Sequence, residues 1–154
     1  MNIRLIAVGK IKEKWLKMGI EEYVKRISRY SAVMIAEVPD QPESGDIRSD
    51  LDREGEKILS KIRSNDLVIT LEIDGVESDS VCFASRMAGW MERGGSSVTF
   101  VIGGSNGISD AVKRRSDDTF SVSKLTFPHR LVRLIFLEQI YRAFKINNNE
   151  KYHK

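Results

Sequence analysis

Three features of the sequence predict an α/β fold with a mostly parallel sheet flanked by helices. Short stretches rich in Val, Ile and Leu alternate with longer segments whose apolar residues recur every three or four positions. One of the short stretches, Val98 to Ile102, is apolar almost throughout, as a parallel strand covered on both faces must be. Glycine and proline punctuate the ends: Gly9 and Pro39 after the first two strands, Asp74-Gly75 after the third. A length of 154 residues suits a single domain spanning 1–154.

Taken in order, Ile3 to Val8 reads as the first strand. Trp15, Leu16, Ile20, Tyr23, Val24 and Ile27 then share one helix face. Ala32 to Val38 is the second strand, and Asp40 to Asp46 is a loop broken by Pro42 and Gly45. A second helix is predicted from Asp50 to about Arg63, with Leu51, Ile58, Leu59 and Ile62 inward. Leu67 to Ile73 is the third strand. Ser80 is a candidate cap for a third helix whose inward side would be Val81, Ala84, Met87, Ala88 and Met91, with Cys82 as a small core-side residue and Gly94-Gly95 as the stop.

The last third is less regular. Between Gly103 and a fifth strand expected near Phe120 to Leu125 there is room for one short helix after Ser109. The final helix is predicted to begin at Pro128, whose missing N–H costs nothing in a first turn. Val132, Phe136, Leu137, Ile140, Ala143 and Phe144 form one arc of it, while Leu131, Leu134, Ile135 and Tyr141 lie on the other side. A helix apolar nearly all round must be buried from two directions. The second cover is either another copy of the chain, making a homodimer, or further elements of the same chain.

Composition narrows the function. Lys and Arg number 25 and Asp and Glu 22, a formal charge of +3, which excludes a polybasic coat. The last 26 residues hold six basic residues against two acidic ones, a net of +4 that leaves −1 on residues 1–128. The only two histidines, His129 and His153, lie in that same segment. A single cysteine excludes an internal disulfide and a structural zinc cage, so no metal is expected and a reducing, cytoplasmic setting is. The first ten residues carry an apolar run of about five, short of a signal-peptide core. No stretch approaches the roughly 20 apolar residues of a membrane span.

Three clusters carry candidate chemistry. Phe100-Val-Ile-Gly-Gly-Ser-Asn-Gly-Ile-Ser109 runs an apolar strand into Gly103, Gly104 and Gly107, with Ser109 as a helix cap. Glycines there let a ligand lie against bare backbone, or simply make a tight turn. The run matches neither the dinucleotide fingerprint nor a P-loop. Ser121-Val-Ser-Lys-Leu-Thr-Phe-Pro-His-Arg130 offers hydroxyls and an imidazole for a second pocket wall, or is a strand end with Thr126 as a cap. Glu138-Gln-Ile-Tyr-Arg142 places an acid and a base at i and i+4, and Lys151-Tyr-His-Lys154 sets an aromatic surface among cations. Such a tail suits single-stranded RNA, or is a disordered basic end.

Together these clusters closely resemble the RlmH family of SPOUT-class methyltransferases. The resemblance rests on Thr70-Leu-Glu-Ile73, Phe100 to Gly107, Ser123-Lys-Leu-Thr-Phe-Pro-His129, Glu138-Gln-Ile-Tyr-Arg-Ala143 and Tyr152-His-Lys154, with Ala7-Val-Gly-Lys10 and Glu37-Val-Pro39 fitting too. It implies a C-terminal trefoil knot, with cofactor loops and knot in about 70–128, and an interface helix and basic tail in 128–154 of a homodimer. It further implies methylation of N3 of a pseudouridine in 23S ribosomal RNA, within the large subunit or 70S ribosome, with S-adenosylmethionine as methyl donor. The donor would sit among Leu71, Gly103, Gly104, Val122, Ser123, Lys124, Leu125, Thr126 and Phe127. His153, Glu138, Arg142 and Tyr152 are the candidate catalytic residues, with His153 ahead of Glu138 as the general base. His129, Arg130, Arg133, Lys151 and Lys154 are the candidate RNA contacts. A methyltransferase for another RNA, such as tRNA, and a ribosome-binding module without activity are the alternatives. A nicotinamide or flavin enzyme is disfavoured by the missing fingerprint near the first strand.

Overall fold

A computed structural model describes residues 2–95 and 97–154. The elements are β1 (Asn2–Val8), α1 (Lys14–Ile27), β2 (Ala32–Val38), α2 (Ile47–Lys61), β3 (Leu67–Leu71), α3 (Ser80–Arg93), β4 (Ser97–Ile102), α4 (Asp110–Arg115), β5 (Asp118–Phe120) and α5 (His129–Asn147). The five strands form one sheet in the order β2-β1-β4-β3-β5, and every pairing is parallel. Strand alternation divides the core in two. Ile3, Leu5 and Ala7 of β1, with Val98, Phe100 and Ile102 of β4, pack under α1, α3 and α5. Ile6, Val8, Val68 and Val101 pack on the other face against Ile58 of α2 and Val112 of α4.

The α/β prediction holds, and the second strand falls on its predicted residues. Several boundaries and faces differ for local reasons. Asp46 caps α2 by accepting from the Ser49 N–H, so that helix starts three residues early, and Asp50 instead turns back to bond Ser44. Asp79 rather than Ser80 caps α3, while the Ser80 hydroxyl donates to Gln139. The buried face of α3 is Phe83, Ala84, Met87 and Trp90. Two large aromatic rings, packed with Phe100, Phe120 and Phe136, outweigh the smaller expected stripe, and Val81, Ala88 and Cys82 end exposed. Trp15, expected inward on α1, is 62% exposed. β3 stops at Leu71, where Gly75 N–H bonds the Glu72 carbonyl in a turn. β5 precedes its expected place, because from Ser121 onward the chain leaves the sheet to wall a cleft. Pro128 is the cap residue of α5, which begins at His129, and Thr126 is exposed and caps nothing.

Helix α5 is covered on both sides by its own chain. It lies between α1 and α3 over β1 and β4. Three of the four residues of its second apolar side, Leu131, Leu134 and Tyr141, pack into the same core as the first, and the fourth, Ile135, lines a cleft beside Gln139 and His153. The Leu134 side chain lies against Gly19, where a Cβ would stand 3.2 Å from it. The two-sided helix therefore does not by itself require a second copy.

A buried ion pair ties β1 to the entry of β3. Arg4 donates to Asp66 at 2.8 Å and to the Lys61 carbonyl, and the Arg63 N–H bonds the same carboxylate at 3.0 Å. Burial raises the Asp66 carboxyl, but that N–H and Arg4 outweigh it and leave it below the usual aspartate range. Asp66→Ala strands a buried guanidinium, which costs about 3–5 kcal/mol. The melting temperature should fall by roughly 10 °C for a chain of this size. The carboxylate's contribution is present above the ordinary aspartate range and fades as pH falls through the depressed folded value. The gap in melting temperature between wild type and variant should therefore narrow on acidification.

Candidate active site

Strands β3 and β4 are neighbours whose exits diverge. The chain leaves β3 through α3 on one face and leaves β4 through α4 on the other. At such a switch point the carboxyl ends of parallel strands part and leave a crevice. Here it is a cleft of about 600 Å³, walled by Leu71 to Asp74 after β3, Ile102 to Ile108 after β4, and residues between Val122 and His129 before α5. Leu71, Gly103, Gly104, Val122, Ser123, Leu125, Thr126 and Phe127 all line it. Lys124 does not, and its side chain is exposed.

The glycine wall cannot carry side chains throughout. A Cβ on Gly103 would lie 2.4 Å from the Gly107 carbonyl oxygen, and Gly107 has φ +90°. The turn between them closes through a bond from the Gly107 N–H to the Gly104 carbonyl at 3.1 Å. On the opposite wall, Ser121 donates to the carbonyls of Ile73 and Ser123, and Ser123 accepts from the Leu125 N–H. Leu125 is left 70% exposed at the rim.

Beyond that wall lies the second constellation. After α5, Asn149 takes φ 55°, a left-handed conformation that asparagine tolerates, and the chain doubles back. Glu150 is held by Tyr30 and Lys145. The Tyr152 hydroxyl donates to Glu138 at 3.1 Å, and its ring lies 4.8 Å from the Arg142 guanidinium. Arg142 donates to Glu138 with one nitrogen and reaches His153 Nδ1 at 3.1 Å with another. The tail is thus a structured lid on α5. His153 lines a further cleft that shares Val122, Ser123 and Phe127 with the first. The 122–127 segment is the partition between glycine loop and arginine cluster.

A family model described as "Predicted SPOUT methyltransferase" matches residues 1–153 of this chain. The chain belongs to the SPOUT methyltransferase family. It is 51% identical, over all of both chains, to a protein of Lactobacillus delbrueckii subsp. bulgaricus named ribosomal RNA large subunit methyltransferase H. A protein of the same name from Clostridioides difficile is 50% identical over the same extent. Among solved structures, a probable methylase family protein from Haemophilus influenzae superposes with a TM-score of 0.50 at 14% identity, covering 96% of this chain and 66% of that one, which supports the fold.

The electrostatics of this SPOUT methyltransferase redistribute several residues. Arg133 is 2% exposed, bonded to Glu37 at 3.0 Å and to the Gly9 carbonyl at 2.9 Å. It braces the ends of β1 and β2 and has no surface to offer RNA. Arg130 bonds Asp40 at 2.7 Å and the Lys10 carbonyl at 3.0 Å. His129 lines the cleft rather than an outer face. Burial, helped by the charges of Arg130 and Arg133 and opposed by Asp40, holds its imidazole below the usual histidine range, so it is neutral at pH 7. Lys151 and Lys154 are exposed. Glu138 has both oxygens engaged, one by Arg142 and Tyr152 and the other by Gln139.

Sequence reasoning missed the charged part of the cleft. Glu72 accepts from the Thr70 hydroxyl at 2.7 Å and faces Lys113 at 3.4 Å, and Asp74 lies nearby on the same wall. Glu72 sits inside the quoted Thr70 to Ile73 stretch, so its place was readable. Lys113 is one cation in a run of three on a short helix, with nothing to mark it. Among the described residues no helix is long and apolar enough to cross a membrane, and no group of three or more His, Cys, Asp or Glu could hold a metal ion.

Proposed function

We propose that this SPOUT methyltransferase transfers a methyl group from S-adenosylmethionine to N3 of a pseudouridine in 23S ribosomal RNA, acting in the cytoplasm on the large subunit or 70S ribosome. The observation that carries this is the shared wall: Val122, Ser123 and Phe127 line both the glycine-floored cleft and the cleft that holds His153. The names of the near relatives supply the RNA.

The cleft suits the donor. Leu71, Leu125 and Phe127 offer apolar faces for an adenine, and the bare backbone at Gly103 permits close approach. Its charged groups, Glu72 and Asp74 against Lys113, sum to −1 and complement a donor of net charge +1. S-adenosylmethionine bound there supplies a methyl group already activated by its sulfonium. The residues of this chain must then align the target nitrogen for in-line attack and help its proton leave to solvent, the N3–CH3 bond forming as S-adenosylhomocysteine departs. A guanidinium only donates, so His153 Nδ1 accepts from Arg142 and the ring hydrogen sits on Nε2. Arg142 and the His153 Nε2–H are two donors suited to the oxygens flanking N3, where charge gathers as N3–H ionises. Glu138, with every oxygen bonded, orients Arg142 and holds the Tyr152 hydroxyl. Exposed Lys151 and Lys154 would follow the RNA backbone.

The reading includes a homodimer and the trefoil knot of the family. Exposed Trp15 and Met18 on α1 and Val81 on α3 lie on the layer that contains α5, and they support an interface there. The deciding experiment is mass spectrometry of ribosomal RNA from cells with and without the protein. Loss of one methyl from a 23S pseudouridine is expected. Unchanged 23S RNA with a methyl lost from tRNA would replace the substrate, and titration calorimetry showing no S-adenosylmethionine binding would reject the enzyme.

A further inference from the structure

Behind the glycine loop, on the side away from the cofactor cleft, lies a smaller cleft of about 170 Å³. Ser105 lines both, so the loop is a thin wall between them. Glu54 of α2 faces this wall from the back. It is 9% exposed and has no ion-pair partner among the described residues. Its two oxygens lie so close over Gly104 that a Cβ there would stand 3.2 and 3.3 Å from them. Burial raises this carboxyl above the usual glutamate range, opposed by the backbone N–H groups of Gln41 and Gly104, which favour the charged form. A buried carboxylate without a cation is costly, and leucine or methionine would fill the same space at no such cost. The next residue adds a second anchor. A Cβ on Gly55 would fall 2.1 Å from the Ser109 hydroxyl oxygen, so Gly55 is what lets Ser109 seat against α2 and cap α4 through the Val112 N–H.

We propose that Glu54 is a positioning residue for the methyl-donor site: its carboxylate holds Gly104, as Gly55 holds Ser109, so that the Gly103–Gly107 turn is fixed from behind in its binding shape. Glu54 does not line the cofactor cleft, so it acts through the loop. The inference rests on the reading of that cleft as the S-adenosylmethionine site.

The charged groups around it are Asp40, Glu43 and Asp50 on the walls of the small cleft and Lys57 one turn along α2. Protonation of Glu54 removes the charge that attracts the Gly104 N–H. Donor affinity should therefore weaken on acidification partly through this residue.

The test is calorimetric titration of S-adenosylmethionine into wild type, Glu54→Ala and Glu54→Gln across roughly pH 5 to 8, with hydrogen exchange of the 103–109 amides. Glu54→Ala should raise Kd ~10-fold, about 1.4 kcal/mol, and speed exchange in the loop, while kcat at saturating donor stays within about twofold. Glu54→Gln keeps an acceptor for the N–H and should bind nearly as wild type near neutrality, with a smaller loss of affinity at acid pH. Unchanged Kd and loop exchange in Glu54→Ala would overturn the proposal, as would an acid response in Glu54→Gln equal to that of wild type. If the alanine variant does not fold, the glutamine profile decides. Failure of wild type to bind the donor would instead reject the reading of the cleft.

Discussion

Replacing Gly103 by valine is expected to abolish S-adenosylmethionine binding while leaving a folded protein. The nearest neighbours of a side chain at this position are the Gly107 carbonyl oxygen at 2.4 Å, the Ile108 side chain at 2.8 Å and the Gly107 carbonyl carbon at 2.9 Å. Two of the three are backbone, and that backbone is closed into a turn by the bond from Gly107 to Gly104. No rotamer change relieves such a clash, so the turn must open and the floor of the cleft moves with it. Gly104 makes the contrast. The nearest atoms to a Cβ there belong to the Glu54 and Val8 side chains, none closer than 3.2 Å, so a shift of a few tenths of an ångström relieves it, at the cost of loosening the hold of Glu54 on the loop. Titration calorimetry should show Kd for Gly103→Val raised at least ~100-fold, about 2.7 kcal/mol, while Gly104→Ala loses no more than the ~10-fold of Glu54→Ala. Melting temperature monitors the fold, since a surface-facing turn opens at less cost than a core strand. A Gly103→Val protein that binds the donor within about threefold of wild type would remove the glycine floor from the site.

What the residues could disclose in one dimension is unevenly divided. Strand and helix identities were readable because periodicity and breakers are local: Gly9 takes a positive φ directly after β1, and Pro39 follows β2. The three segments expected to hold a cofactor were readable as motifs, and all their named residues but Lys124 line one cleft. Properties that depend on which element lies opposite were not. Arg133 looked like an RNA contact because it sits in a basic segment, yet Glu37 and the Gly9 carbonyl, about a hundred residues away in the chain, draw it inside. The second apolar side of α5 calls for a cover without saying whether another copy or the same chain supplies it, and only the packing shows α1 and α3 covering most of it. Glu54 lies outside the inward set of Leu51, Ile58, Leu59 and Ile62 predicted for the second helix. Only the packing of α2 against the glycine loop gives it a task.

Arg142→Ala should cost the single-turnover methylation rate ~10³-fold, with donor affinity nearly unchanged, if Arg142 acts on the target base. The guanidinium is not part of the donor cleft, so its loss leaves that binding surface intact. It does three things at once on the other side of the partition: it donates to Glu138, it fixes His153 through Nδ1, and it faces the Tyr152 ring. Removing one preorganised donor at developing negative charge typically costs ~10²–10³ in rate, and here the loss of Arg142 also frees His153. His153→Ala should fall lower in that range, at ~10²-fold. Arg142→Lys separates charge from geometry, since lysine keeps the positive charge but cannot bridge Glu138 and His153 in one plane. If the planar fork matters, lysine should behave nearly as alanine does. The measurement is methyl transfer to saturating ribosomes with donor in excess, alongside Kd for the donor alone. Near-normal rates in both Arg142→Ala and His153→Ala would dissociate this cluster from the chemistry. A loss seen only in donor Kd would move it to the cofactor site. The pH dependence of the rate bears on the proton. With His153 Nδ1 occupied by Arg142, and Glu138 turned to Arg142, Tyr152 and Gln139 and lining neither cleft, the N3 proton is expected to pass to solvent, so the rate should climb with pH in parallel in wild type and His153→Ala. A limb present in wild type and absent in His153→Ala would instead make His153 the base, released from Arg142 when RNA binds.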